Sequence, residues 1–128
     1  MANARAEGFT YLASATQEAV ETASLYGVSP YLDQDATETR FKLEATGKDI
    51  ILLSAHGELS EETPLFSRIV LAADEQGQND GSLTVQEIYE LDLREANLFV
   101  LSACETNGGK VTRGDDLIGL SRAFIYAG

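Results

Sequence analysis

The chain holds one imidazole, His56, and one thiol, Cys104, 48 residues apart. Each follows a run of apolar residues. Ile50-Ile51-Leu52-Leu53 leads into Ser54-Ala55-His56-Gly57, and Leu98-Phe99-Val100-Leu101 leads into Ser102-Ala103-Cys104-Glu105-Thr106. A thiolate is a nucleophile, and an imidazole beside it can activate it or protonate a departing amine. Gly57 lets the backbone approach a substrate closely, and its N–H, with that of Cys104, can hold the oxyanion of a tetrahedral intermediate. Each residue alone has an ordinary reading: a Cys behind an apolar strand packs as a small hydrophobe, and a His there ends the strand. Their corresponding places behind two matched runs set the pair apart.

Continuous apolar runs fit strands covered on both faces, as in a parallel sheet. Helical segments separate and follow the two runs, so the spacing predicts an α/β fold, a three-layer sandwich on a mainly parallel sheet. In such sheets ligands bind outside the carboxyl ends of the strands, the edge where His56 and Cys104 emerge if their strands are neighbours. Residues 15–26 read as a helix capped by Thr16, with Glu18 in its first turn and Gly27 as its stop; Ala19, Ala23 and Tyr26 form its inner face. Tyr31 and Leu32 read as a short strand. Thr37 caps a helix over 38–46 that ends at Gly47. Residues 68–72 and 82–83 flank an acidic, Gly-containing loop and predict a small β-hairpin over 68–83 with Asp80-Gly81 near the turn exit. Thr84 and Glu87 have capping-box spacing, opening a short helix through Glu90. The clearest helix spans 115–126, with Leu117, Leu120, Ser121, Phe124 and Ile125 on one face and Asp115 and Asp116 at its positive end.

At 128 residues one domain is expected, and 44% apolar content supports a packed core. The formal charge of −12 is repelled by phosphate backbones and anionic lipid, which argues against nucleic-acid and membrane partners. One Cys forms no internal disulfide, which fits a reducing, cytoplasmic location. One Cys and one His cannot build a zinc cage, so no metal is expected. No apolar run reaches membrane-spanning length, and residues 1–8 lack the apolar stretch of a signal peptide and read as a tail- or tag-like segment. A nucleotide or phosphate site is disfavoured: no glycine-rich fingerprint follows a strand, and Asn107-Gly108-Gly109-Lys110 lies between acidic Glu105 and Asp115.

The two strand-and-site segments resemble the signatures of the caspase-like cysteine peptidase clan, apolar strand then His-Gly and apolar strand then Ala-Cys. Four stretches narrow this to the CHAT domain, a bacterial relative often fused to tetratricopeptide repeats. They are Leu53 to Gly57, Asp80 to Thr84 leading into Glu87-Ile88, Val100 to Thr106, and Gly114 to Leu117 running through Arg122-Ala123-Phe124 to Gly128. Pro64-Leu65-Phe66-Ser67 resembles the segment before the hairpin. The resemblance covers 9–128 and is to a partial domain. It implies peptide-bond hydrolysis without a cofactor. Cys104 would be the nucleophile, His56 the general acid/base, Gly57 and Cys104 the oxyanion donors, and Ser54, Glu105 and Thr106 pocket residues. The implied partners are a polypeptide substrate and a repeat region or other regulator. An acidic face at Glu58, Glu61 and Glu62 would favour basic peptides or simply be solvated. The other reading is a non-catalytic scaffold or fragment in a bacterial signalling or defence complex. The resemblance also places a strand between Tyr31 and residues 50–53, and another beside the Cys-bearing strand. With neither evident, the expectation is open sheet edges and a chain that self-associates or is only marginally stable. Sedimentation and unfolding should therefore show oligomers or a marginal fold; a clean, cooperatively folding monomer would contradict this.

Overall fold

The computed structural model describes residues 1–3, 5–6, 8–60, 62–74, 77, 79–105 and 115–128. The two apolar runs are strands β2 (Ile50–Glu58) and β5 (Leu98–Glu105). They pair in parallel, in unbroken register from Ile50↔Leu98 to Gly57↔Glu105. Both strands outrun their apolar cores. His56, Gly57 and Cys104, expected just behind the strands, lie within them. Small residues (Ser54, Ala55 and Gly57) fit between the layers, and neighbouring strands keep their backbone groups paired.

The N-terminal stretch read as a tail contributes a strand, β1 (Ala2–Asn3), parallel to Ser54 and Ala55 of β2. Its backbone is tied on both sides: Ala2 N donates to Tyr31 O at 2.9 Å, and Ser54 N donates to Met1 O at 3.0 Å. The Met1 ammonium donates to Leu52 O at 2.8 Å. Residues 1–3 thus occupy the carboxyl-end part of the position between Tyr31-Leu32 and β2 where the resemblance places a strand. The expected Tyr31-Leu32 strand is a single bridge from Leu32 to Ala2.

The hairpin of β3 (Arg68–Val70) and β4 (Ser82–Thr84) is present, but it belongs to the main sheet. β3 runs antiparallel to the end of β2, pairing His56↔Val70, Gly57↔Ile69 and Glu58↔Arg68. The five-stranded sheet is therefore mixed. Its β1–β2 and β2–β5 pairings are parallel, and its β2–β3 and β3–β4 pairings antiparallel.

Helices cover both faces. On one, α2 (Glu38–Ala45), α3 (Val85–Ile88) and α4 (Asp115–Ala127) enclose a core that includes Phe41, Ile51, Leu53, Ile69, Leu83, Ile88, Leu120 and Phe124. Phe124 stacks on Phe99 with ring centroids 4.2 Å apart, and Phe41 meets both rings edge-on at 6.5 Å. On the other face α1 (Ala13–Leu25) packs Ala15 and Ala19 against Ala2.

The helix boundaries expected from caps are partly met. Thr37 accepts from Arg40 N at 3.2 Å, and the Thr84–Glu87 capping box is complete. Gly27 and Gly47 follow α1 and α2 with φ of +66° and +74°. Thr16 does not cap α1, which begins three residues earlier behind Leu12. Tyr26 is exposed because it lies past the last helical turn. α3 stops at Ile88, short of Glu90. In α4 the buried stripe is Leu120, Ala123, Phe124 and Ala127, while Ser121 and Ile125 face outward. The two alanines allow close approach, which turns the helix away from the face read from the larger side chains; Leu117's side chain lies outside the described part. Among the described residues no helix is long and apolar enough to cross a membrane.

A buried carboxylate joins α2 to the hairpin and α3. Glu38, 1% exposed, accepts from Gly81 N at 2.9 Å and pairs with Lys42 Nζ at 2.6 Å. Lys42 also reaches Glu87 at 2.9 Å. Burial holds the Glu38 carboxyl above its ordinary pKa despite Lys42. Glu87 resists the opposing effect of burial and is brought down to about 2 by Thr84 and Lys42. Gly81 sits at φ +83°, and a Cβ there would lie 2.6 Å from Leu71 O, so the turn that presents this N–H requires glycine.

Removing the cation strands Glu38, so its loss costs more than an exposed ion pair is worth. Lys42→Met should destabilise the chain by about 2–3 kcal/mol, discounted from a fully buried pair for the partial exposure of Lys42. Adding Glu38→Gln should restore part of that loss. Urea titration of the two variants checks this, and an unchanged midpoint for Lys42→Met would contradict it.

Candidate active site

β2 and β5 carry the two candidate residues to one place in the sheet. His56 and Cys104 are register partners on adjacent parallel strands, which run about 4.8 Å apart. The alternation of β2 sets the surroundings. Ile51, Leu53 and Ala55 enter the large core, whereas Ser54 belongs to the face under α1. His56 is on Ser54's face and is 0% exposed.

Its cover is Phe9, from the segment between β1 and α1. The two rings have centroids 4.8 Å apart and are tilted by 33°. Neither imidazole nitrogen has a hydrogen-bond partner among the described residues. Burial pushes the imidazole pKa below 6.5; the Thr10 backbone, outside good hydrogen-bond geometry with the ring, opposes this only in part. The ring is therefore neutral near pH 7, a form able to accept a thiol proton.

The other candidates fall into different settings. Ser54, 1% exposed, donates to Glu18 Oε2 at 2.9 Å, so its hydroxyl anchors α1 to β2. Gly57 has a strand partner on each side, Ile69 and Glu105. Cys104 and Glu105 are placed here by backbone register alone, and Thr106 lies outside the described residues. Of the expected acidic face, Glu58 is neutralised by Arg68, whose Nε donates to Glu58 Oε2 at 2.6 Å. Glu62 is exposed, and Glu61 lies outside the described residues. Among the described residues no cluster of His, Cys, Asp and Glu has the makings of a metal site.

Two neighbours of His56 were not legible beforehand. Phe9 is an apolar residue outside any periodic pattern. Asn3, 2% exposed, donates from Nδ2 to Val70 O at 3.3 Å and so joins the end of β1 to β3 beside the ladder. No sequence signal marks either one, because both depend on β1 pairing with β2.

A family model described as CHAT domain matches residues 2–128. No curated protein and no solved structure matches the chain.

The environment of His56 makes a pH prediction. Folding lowers the imidazole pKa below its unfolded value of 6.5, so the unfolded chain takes up this proton first. Its stability contribution is full above about pH 6.5 and is lost as pH falls through the folded pKa. His56 is the only imidazole, so one NMR titration reads it directly. The expected midpoint lies below 6.5, and His56→Leu should remove this part of the pH dependence of urea stability. A midpoint above 6.5 would contradict the burial described.

Proposed function

The chain belongs to the CHAT domain family, and on that premise we propose that it is the catalytic part of a caspase-like cysteine endopeptidase. The observation that carries this reading is the register pairing of the chain's one His with its one Cys, at the carboxyl end of two parallel strands. In this reading His56 accepts the Cys104 proton. The thiolate attacks the scissile carbonyl, and the backbone N–H of Cys104 takes up the oxyanion's charge; the Gly57 N–H, flanked by strands on both sides, joins it only where its ladder pairing opens. His56 then gives the proton to the departing amine, leaving a thioester on Cys104. Water, deprotonated by His56, releases the acid and regenerates the thiol. Glu105 and Thr106, directly after the nucleophile, are the proposed pocket floor. Ser54 acts one step removed, holding α1 against the His-bearing strand. A polypeptide is the substrate, and a tetratricopeptide-repeat region or another partner is the proposed regulator.

A second reading is a CHAT-type scaffold without activity. The sealed imidazole favours it, since among the described residues neither ring nitrogen has a well-formed hydrogen bond to fix the ring's orientation.

The two readings separate on a peptide bearing a thiol-reactive electrophile, followed by intact mass. The endopeptidase predicts one adduct, on Cys104, abolished by Cys104→Ala and reduced at least about tenfold by His56→Ala. Adduct formation indifferent to His56 would favour the scaffold.

A further inference from the structure

We propose that the segment Gly8–Leu12 is a strap that closes the site, with Phe9 seated on His56, and that the competent form has this strap lifted. The inference deepens the endopeptidase reading and rests on it for its functional meaning. An acid/base must meet both the nucleophile and the leaving group. Here the imidazole has no exposed surface, and the ring above it belongs to the chain's own N-terminal segment. Phe9 lies over one face of His56 at 4.8 Å and closes it to any substrate approaching from that side.

The strap is built to move separately from the rest. Gly8 stands at φ +81° with nothing within 4 Å of where a Cβ would be, an open pivot at one end. At the other end Leu12 begins α1 without a side-chain cap. Between them Thr10 and Tyr11 are exposed. The described backbone bonds at its ends are local, Phe9 N to Ala6 O at 3.1 Å and Ala15 N to Leu12 O at 3.0 Å. Leu12 anchors the strap's far end against the Ala2, Ala15 and Ala19 cluster, and nearer the middle the side-chain tie is Arg5, which lies 4.5 Å over the Tyr11 ring and 3.5 Å from Asp33 at the surface. α1 has its own attachments, Glu18 to Ser54 and Ala15 and Ala19 to Ala2. Lifting Phe9 therefore need not dislodge the helix, and a partner that engages the exposed strap residues would open the site. Segments held by few buried contacts are the ones that open locally, well before global unfolding.

His56 can be read directly, because diethyl pyrocarbonate acylates an accessible imidazole and the chain has only one. On the full chain, Phe9→Ala should raise the His56 modification rate at least about tenfold. Tyr11→Ala, which removes an exposed anchor and spares the core, should raise it about threefold. The wild-type rate should change little with low urea, as expected for local opening; a dependence as steep as global unfolding would overturn the strap. Unchanged modification in both variants would also overturn it, even if the peptide electrophile still labelled Cys104. Faster His56 modification together with faster, His56-dependent labelling supports both strap and endopeptidase. Faster modification without labelling upholds the strap as a cover and removes the endopeptidase reading.

Discussion

The parallel ladder between β2 and β5 is the constraint on which the rest of the structure depends. Its register, from Ile50↔Leu98 to Gly57↔Glu105, joins segments separated by a long crossover. Parallel neighbours require such a crossover, and closing it costs chain entropy before the ladder forms. The crossover offsets that cost by making structure of its own. β3 pairs back onto β2, β4 pairs onto β3, and the capping box of Thr84 and Glu87 starts α3 directly after β4. Glu38 and Lys42 fasten this excursion to α2.

The same ladder explains why His56 is buried. Strand alternation sends Ile51, Leu53 and Ala55 into the larger core and commits Ser54 and His56 to the face beneath α1 and the N-terminal segment. There the small residues of β1 and α1 bring backbone close to backbone. The imidazole is shut in by Phe9, and neither nitrogen has a hydrogen-bond partner among the described residues. Burying polar atoms without partners opposes folding. Such an arrangement persists only where surrounding packing compensates for it, and it is common at sites that work in another state.

Legibility followed how local each signal was. The apolar runs at 50–53 and 98–101, the Thr37 cap and the Thr84–Glu87 box depend on neighbouring residues, and all appear in the structure. Strand ends, the place of β1 and the mixed sheet depend on distant partners. Ala2 and Asn3 carry no strand pattern and become β1 because Met1, Ser54 and Tyr31 supply hydrogen bonds from both sides. In α4 the large side chains pointed to Ile125 as a core residue, whereas Ala123 and Ala127 take the inner face. His56 and Cys104 stood out by type and position, but Phe9 above His56 could be found only once β1 placed the N-terminal segment over the sheet.

The central claim is the register that sets position 56 beside position 104, and NMR measures it most directly. Cross-strand nuclear Overhauser contacts between backbone protons of β2 and β5 should align His56 with Cys104 and Leu52 with Val100, as one uninterrupted parallel ladder. Contacts that pair His56 with another residue of β5, or none between the two strands, would contradict the account and remove the basis for a Cys–His site.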